Sequence, residues 1–437
     1  MEWWVPFGII LGGLVFLMIL GFPIFLAFTI VNVAGIYFLW GGMGGLVQLS
    51  HTIFSSVANF VLLPVPVFIL MGELIARSGV FTYAIETLDK WIGGVRGRLS
   101  LLAIGSATIF AALSGSAQGT TAMLGSILLP EMYRRGYKRY FAIGSCLSGA
   151  LAMIIPPSAF AVILGALAEV SIGKLLIGGI LPGLVLAGCY VCYVVLSVKL
   201  DPNIANDYSE TRYPLSDKIT SFLKYVLPFG GIMFLVTWLI FFGFCTPTES
   251  AVLGTVGSIF LIMCYRKLSW EVIIPSIVNT IKITVMMFMI LTGATAFGQL
   301  LAYTGASQGL CEFVVSFKLS PLLAVITMQA LYLVLGCFME QVSILMVTLP
   351  IFMPIIKVLE IDALWFAILT LLNMGIAMKS PPFGLTLFVM QGAAPKGTSI
   401  RDIYLGALVF ILCDIVGILI VFFFPKIALF LPSFMKY

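Results

Sequence analysis

LSGALAMIIPPSAFAVILG, Leu147 to Gly165, decides how this chain must be read. It is an apolar run with Pro156-Pro157 at its centre. Adjacent prolines remove two backbone donors and clash with the preceding turn, so a helix breaks there. Inside a bilayer, broken backbone persists only where protein buries it or where it lines a cavity. The device returns in LLNMGIAMKSPPFGLTLFVMQG, Leu371 to Gly392, where Pro381-Pro382 stands 225 positions after the first pair. Two such breaks in 437 residues point to a duplicated binding apparatus, and hence to a secondary transporter.

Composition sets the surroundings. The chain is 61% hydrophobic and 9% charged, far from the balance of a soluble domain. It is expected to be an all-α polytopic membrane protein, because the apolar runs are continuous rather than alternating. Val5 to Leu20 lacks a basic n-region and a small-residue cleavage site, so it is expected to be a mature span. The eight cysteines are scattered and imply no disulfide framework; Cys189 and Cys192 read as small membrane thiols. The single histidine, His51, is expected in a loop and leaves haem, zinc and His-relay chemistry without ligands. A net charge of +5 suits basic cytoplasmic loops and calls for no nucleic acid.

Taken in order, Val5 to Trp40 is one broken helix or two, and Phe60 to Ala76 carries an embedded Glu73. Val80 to Arg98 is amphipathic and expected to lie at the interface. Leu99 to Leu113 and Thr120 to Met132 flank SGSAQG; each arm of about 14 residues would reach only about 21 Å, short of a core of about 30 Å. Arg96 and Arg98 precede this segment and Arg134, Arg135, Lys138 and Arg139 follow it. Basic flanks on both sides favour a re-entrant hairpin with both ends in the cytoplasm; a long kinked helix would put one cluster outside.

The chain then divides: residues 1–198 form a first repeat (hairpin about 99–132, broken helix about 140–168), 199–224 a polar linker, and 225–437 a second repeat (hairpin about 321–356, broken helix about 363–392). Paired positions keep one order at a nearly constant offset: Met71-Gly72-Glu73-Leu74 with Phe297-Gly298-Gln299-Leu300, Phe141-Ala142-Ile143 with Phe366-Ala367-Ile368, Ser171-Ile172 with Ser399-Ile400. That pattern is expected of inverted repeats.

Broken helices expose carbonyls, which suit sodium, and amide N-termini, which suit an anion. Ser114, Ser116, Thr120, Thr121 and Ser158 surround the first break with hydroxyls, and Ser343, Ser380 and Thr386 the second. No carboxylate cluster resembling a proton wire is evident, so sodium coupling is favoured over proton coupling. Ser116, Thr120, Ser158, Lys379 and Thr386 are the candidate substrate contacts. Lys379 either meets the substrate's anionic group, or stands as a cation near Glu340, or snorkels to an interface. Glu340 either ligates or is structurally satisfied; Glu249 is expected to cap a helix, Glu73 to hydrogen-bond, and Lys282 and Asp414 to face an interface or a partner.

SGSAQGTTAMLGSILLPEM, IIPPSAFAVILG, SIGKLLIGGILPG, TPTESA, EIDALWF and SPPFGLTLFV together resemble the large membrane subunit of tripartite ATP-independent periplasmic (TRAP) transporters, over nearly the whole chain. The resemblance implies an elevator mechanism, sodium coupling, a small four-helix membrane subunit, a soluble periplasmic binding protein and a small organic-anion substrate such as a carboxylate or sulfonate. It would place sodium sites at Ser114, Gly115, Ser116 and Ala117 with Pro156 and Ser158, and at Met339, Glu340, Val342 and Ser343 with Ser380, Pro381 and Gly384. Glu340 and Lys379 depart from the family, where an aspartate and a neutral residue are common. Two alternatives remain: a stand-alone carboxylate or ion carrier that needs no partner, and a cofactor-binding membrane enzyme, which one loop histidine disfavours.

Overall fold

A computed structural model of the chain describes residues 2–92, 95–114, 116–205, 214–317, 320–382 and 384–435, with the backbone alone at 111–114. Every regular element among them is helical. Hydrocarbon offers no water to satisfy N–H and C=O groups, and a helix satisfies them within itself.

The apolar N-terminal stretch forms two helices, α1 (Trp4–Ile19) and α2 (Ile24–Leu39). Gly21 parts them in the left-handed region at φ 84°. α3 (Met43–Val57) carries His51, so the expected loop histidine is helical, though exposed. α4 (Pro64–Ser78) holds Glu73, and the amphipathic stretch forms α5 (Phe81–Ile92). α6 (Arg98–Ser114) and α7 (Ala117–Arg134) pack together as the first hairpin. Their 17 and 18 residues exceed the expected arms, yet a rise of 1.5 Å per residue still gives only about 27 Å.

α8 (Arg139–Cys146), a 3-10 stretch over Leu147–Met153 and α9 (Ala159–Leu167) make the first broken helix. α10 (Ile172–Gly178) and α11 (Ile180–Leu200) follow it, then α12 (Leu215–Tyr225) and α13 (Leu227–Phe241), bent by 43° between them. α14 (Pro247–Cys264) starts in a capping box: Thr246 accepts from the Glu249 N–H, and the Glu249 carboxylate accepts from the Thr246 N–H at 2.8 Å. α15 (Trp270–Tyr303) runs 34 residues without a break, and α16 (Ala306–Ser316) follows.

A second hairpin, α17 (Pro321–Gly336) and α18 (Gln341–Val358), precedes a second broken helix, α19 (Ala363–Ala377) and α20 (Leu385–Ala393). α21 (Ile400–Phe423) and α22 (Lys426–Ser433) end the chain's described part. α7 and α18 are both 18 residues long, with Pro130 and Pro354 at the same depth, and α9 and α20 are both nine.

Among the described residues six helical segments are long and apolar enough to cross a membrane, seven if the bent α12–α13 pair is one span. Large apolar side chains cover the outside, Phe38 being 79% exposed and Phe54 75%. Such a surface is stable only in lipid or against a partner. The eight cysteines are all free.

Candidate substrate and ion cavity

The two hairpin tips meet. A cavity of about 170 Å³ is lined by Ser116, Ala117, Gln118 and Gly119 from the first tip and Glu340, Gln341 and Val342 from the second. Met153, Ala159 and Phe160 flank it from the first broken helix, and Met378 from the second. Gly72, Glu73 and Ala76 of α4 with Met286 and Met287 of α15 close the far wall.

The N-termini of α7, α9 and α18 converge on this space. Each start leaves backbone N–H groups without intrahelical partners and carries a partial positive charge, which suits an anionic group. Ser116 caps α7 by accepting from the Gly119 N–H at 3.1 Å. Ser158 caps α9 by accepting from the Ala161 N–H at 3.2 Å while donating to the Met153 carbonyl at 3.0 Å. At the third start Glu340 accepts from the Ser343 hydroxyl at 3.3 Å.

The chain is drawn tight around the breaks, and the Pro156-Pro157 and Pro381-Pro382 bonds are both cis. Thr121 Oγ1 is buried without a hydrogen-bond partner. It lies against Gly149, where a Cβ would come within 2.7 Å of it. At the second break Thr386 donates to the Met378 carbonyl at 2.7 Å, and Ser380 to that of Ile376 at 2.9 Å. Gly384 sits where a Cβ would meet the Met378 carbonyl at 2.6 Å.

The residues expected at the site therefore divide. Ser116, Ala117, Glu340 and Val342 line the cavity; Ser158 and Ser343 bond to groups on its edge. Thr120 is buried one turn into α7, and its hydroxyl donates to the Ser116 carbonyl at 2.8 Å. Pro156, Met339, Ser380, Pro381, Gly384 and Thr386 support the breaks or tips without lining the cavity. Gly115 and the Ser114 side chain lie outside the described residues.

Lys379 requires a correction. Its ammonium faces neither the cavity nor Glu340, and it does not snorkel: it is fully buried, 2.6 Å from Asp414 and 2.7 Å from the Tyr190 hydroxyl. Tyr190 in turn donates to Asp414. Asp414, expected at an interface, is 2% exposed, because an unpaired carboxylate in lipid would cost far more than one beside an ammonium. Glu73 does hydrogen-bond, accepting from Asn279 of α15 at 2.7 Å and from Arg77 at 2.9 Å. Its counterpart Gln299 accepts from Thr52 of α3 at 2.6 Å. Residue type alone gave no sign of Gln118, Gln341, Tyr190 or Asn279; only the offset that links Glu73 to Gln299 marked that pair of positions.

No group of three His, Cys, Asp or Glu side chains able to hold a metal ion occurs among the described residues. The oxygens around the cavity are hydroxyls and carbonyls together with the Glu73 and Glu340 carboxylates.

Residues 11–427 match the family described as "Tripartite ATP-independent periplasmic transporter, DctM component". The chain is 33% identical over 396 residues to the C4-dicarboxylate TRAP transporter large permease protein DctM of Pseudomonas aeruginosa, covering 89% of this chain and 90% of that one. It is 27% identical to the isethionate TRAP transporter permease protein DctMQ of Oleidesulfovibrio alaskensis, over 89% of this chain and 61% of that protein. In fold it is similar to the crystal structure of the YdaH transporter of Alcanivorax borkumensis, with a TM-score of 0.59 at 13% identity over 89% and 88% of the two chains.

Proposed function

The chain belongs to the tripartite ATP-independent periplasmic transporter family as a DctM component, and on that premise we propose that it imports a small organic anion together with sodium. It is a multi-pass protein of the bacterial cytoplasmic membrane, a transporter subunit and not an enzyme. The observation that carries the proposal is the meeting of three helix N-termini and both hairpin tips around one cavity. The N-termini would hold the anionic group, with Ser116, Ser158 and Gln118 orienting it. Hydroxyl and carbonyl oxygens near Thr121, Ser116 and Ser343 would hold sodium, whose charge offsets that of the anion. Lys379 has no part in either set, being committed to Asp414.

The relatives' names, a C4-dicarboxylate and an isethionate transporter, support a carboxylate or sulfonate substrate. The DctMQ relative extends well beyond the portion matched here, which supports a smaller membrane subunit beside this one. A soluble periplasmic binding protein would deliver the substrate. An elevator-type movement of two inverted repeats is supported by a reciprocal pair of hydrogen bonds, Asn279 to Glu73 and Thr52 to Gln299, in which each partner's counterpart bonds the other's. The basic cluster between α7 and α8 would then mark the cytoplasmic side.

The test is thermal unfolding of the purified transporter, with any copurifying subunit, in sodium, potassium and choline chloride at equal ionic strength. Sodium bound only by the folded state stabilises it by about 2.7 kcal/mol at a hundredfold excess over Kd. A saturable, sodium-specific rise in midpoint, increased further by a C4-dicarboxylate or isethionate, is expected. Three identical curves would remove sodium and turn attention to Glu340, the half-buried carboxylate of the cavity wall, as a proton carrier.

A further inference from the structure

The lining of the tip cavity is chemically uneven. Where the first tip and the first break line it, the starts of α7 and α9 present N–H groups under neutral caps, Ser116 and Ser158. No carboxylate lines that part among the described residues. The rest of the lining carries two, Glu73 on α4 and Glu340 at the second tip. Glu340 stands at the position just before α18, so the partial positive charge of that helix start is already met by an anion of the chain itself. The starts of α7 and α9 are left for an anionic group that arrives from outside.

The cationic side chains do not offset Glu340. No Lys, Arg or His lines the cavity among the described residues. Arg77 lies 2.9 Å from Glu73, and Lys379 is committed to Asp414. Glu340 accepts from the Ser343 hydroxyl at 3.3 Å, a contact that leaves its charge in place. In a cavity of about 170 Å³, a half-buried carboxylate repels an anionic molecule more strongly than it would in bulk water. Sodium finds oxygens better suited to it at the first break, where Thr121 Oγ1 is buried without a hydrogen-bond partner. At the second break the Met378 and Ile376 carbonyls already accept from Thr386 and Ser380. The charge left to be met at the second tip is that of Glu340.

We propose that the transported molecule is a small zwitterion, an amino acid or aminosulfonate, whose acid group sits on the starts of α7 and α9 and whose ammonium meets Glu340. Gln118 and Gln341, one from each tip, supply amide groups to the polar atoms between the two charges. This rests on the reading of the cavity as the substrate site and narrows the organic anion to one that carries its own cation. Glu340 is then the residue that selects the substrate, since a site that pairs a charge discriminates against an analogue lacking it.

Matched pairs that differ in one group test it: taurine against isethionate, and β-alanine against 3-hydroxypropanoate, with succinate as a dianion. Each is titrated in sodium chloride into the purified transporter, with any copurifying subunit, and the half-saturating concentration is read from the unfolding midpoint. The ammonium member of each pair should half-saturate at about tenfold lower concentration than its hydroxyl partner. Glu340→Gln should bring that ratio to one, and Glu340→Asp should keep most of it. Should Glu340→Gln not fold, the ratio in the unaltered protein and in Glu340→Asp decides. Equal binding within each pair, or tighter binding of the hydroxyl members or of succinate, would overturn the zwitterion and leave the anion reading standing. A ratio untouched by Glu340→Gln would overturn the assignment of the ammonium to Glu340. No response to any of these compounds would overturn the cavity as substrate site, and this inference with it.

Discussion

Replacing Lys379 by methionine keeps most of the side chain's volume and removes its charge. Lys379 and Asp414 are 0% and 2% exposed, with 2.6 Å between ammonium and carboxylate. Lys379→Met leaves that carboxylate with the Tyr190 hydroxyl as its remaining hydrogen-bond donor. Removing one partner of a buried ion pair costs about 3–5 kcal/mol, because the other charge stays where it cannot be hydrated. Asp414→Asn strands the ammonium and should cost a similar amount. The double variant buries no charge, and such replacements are commonly neutral or better. It should therefore unfold above both single variants, with a coupling of about 3 kcal/mol in a double-mutant cycle. The assay is thermal unfolding in detergent, followed through the seven tryptophans at constant ionic strength. Sodium's effect on the midpoint should survive in the double variant, since Lys379 lies outside the cavity lining. A double variant that falls as far as the worse single would refute mutual compensation and leave the two charges with separate tasks.

Gly384→Ala should lose about 1–3 kcal/mol and most transport, because the new Cβ would lie 2.6 Å from the Met378 carbonyl, among backbone atoms that cannot give way; detergent melting and uptake would check both. Ser116→Ala should cost about 1 kcal/mol as a lost helix cap and should shrink the sodium-dependent rise in midpoint, with Ser116→Thr restoring part of each; an unchanged rise would remove Ser116 from the ion site. Outside the membrane, Lys138 hydrogen-bonds Asp201 at 2.5 Å and holds its carboxyl below the ordinary 3.8, while Asp201 raises the Lys138 ammonium. A lowered carboxyl stabilises the fold above its unfolded value and loses that contribution as pH falls through the folded value. Asp201→Asn should therefore flatten the acid limb of a melting-against-pH curve below about pH 4, and a curve with its slope unchanged would count against the pair.

The sequence by itself determined whatever depends on local chemistry. Pro156-Pro157 and Pro381-Pro382 break helices wherever the chain goes, and Thr246-Pro-Thr-Glu249 starts one. Continuous apolar runs require lipid or burial, and the two polar tips interrupt them at fixed places. The constant offset between Glu73 and Gln299 is likewise legible without any knowledge of packing. Tertiary structure alone decided which distant groups meet. Lys379 finds Asp414 and Tyr190 on two other helices, the latter 189 positions away, so no periodicity within its own segment could have pointed there. On sequence alone Lys379 could meet substrate, stand as a cation near Glu340 or snorkel to an interface, but a buried ammonium goes where a carboxylate can neutralise it. Likewise the two tips, 224 residues apart between Ser116 and Glu340, share one cavity only because their broken helices pack side by side. Ion pairing and cavity formation are properties of several elements at once, and a single segment carries no record of its neighbours.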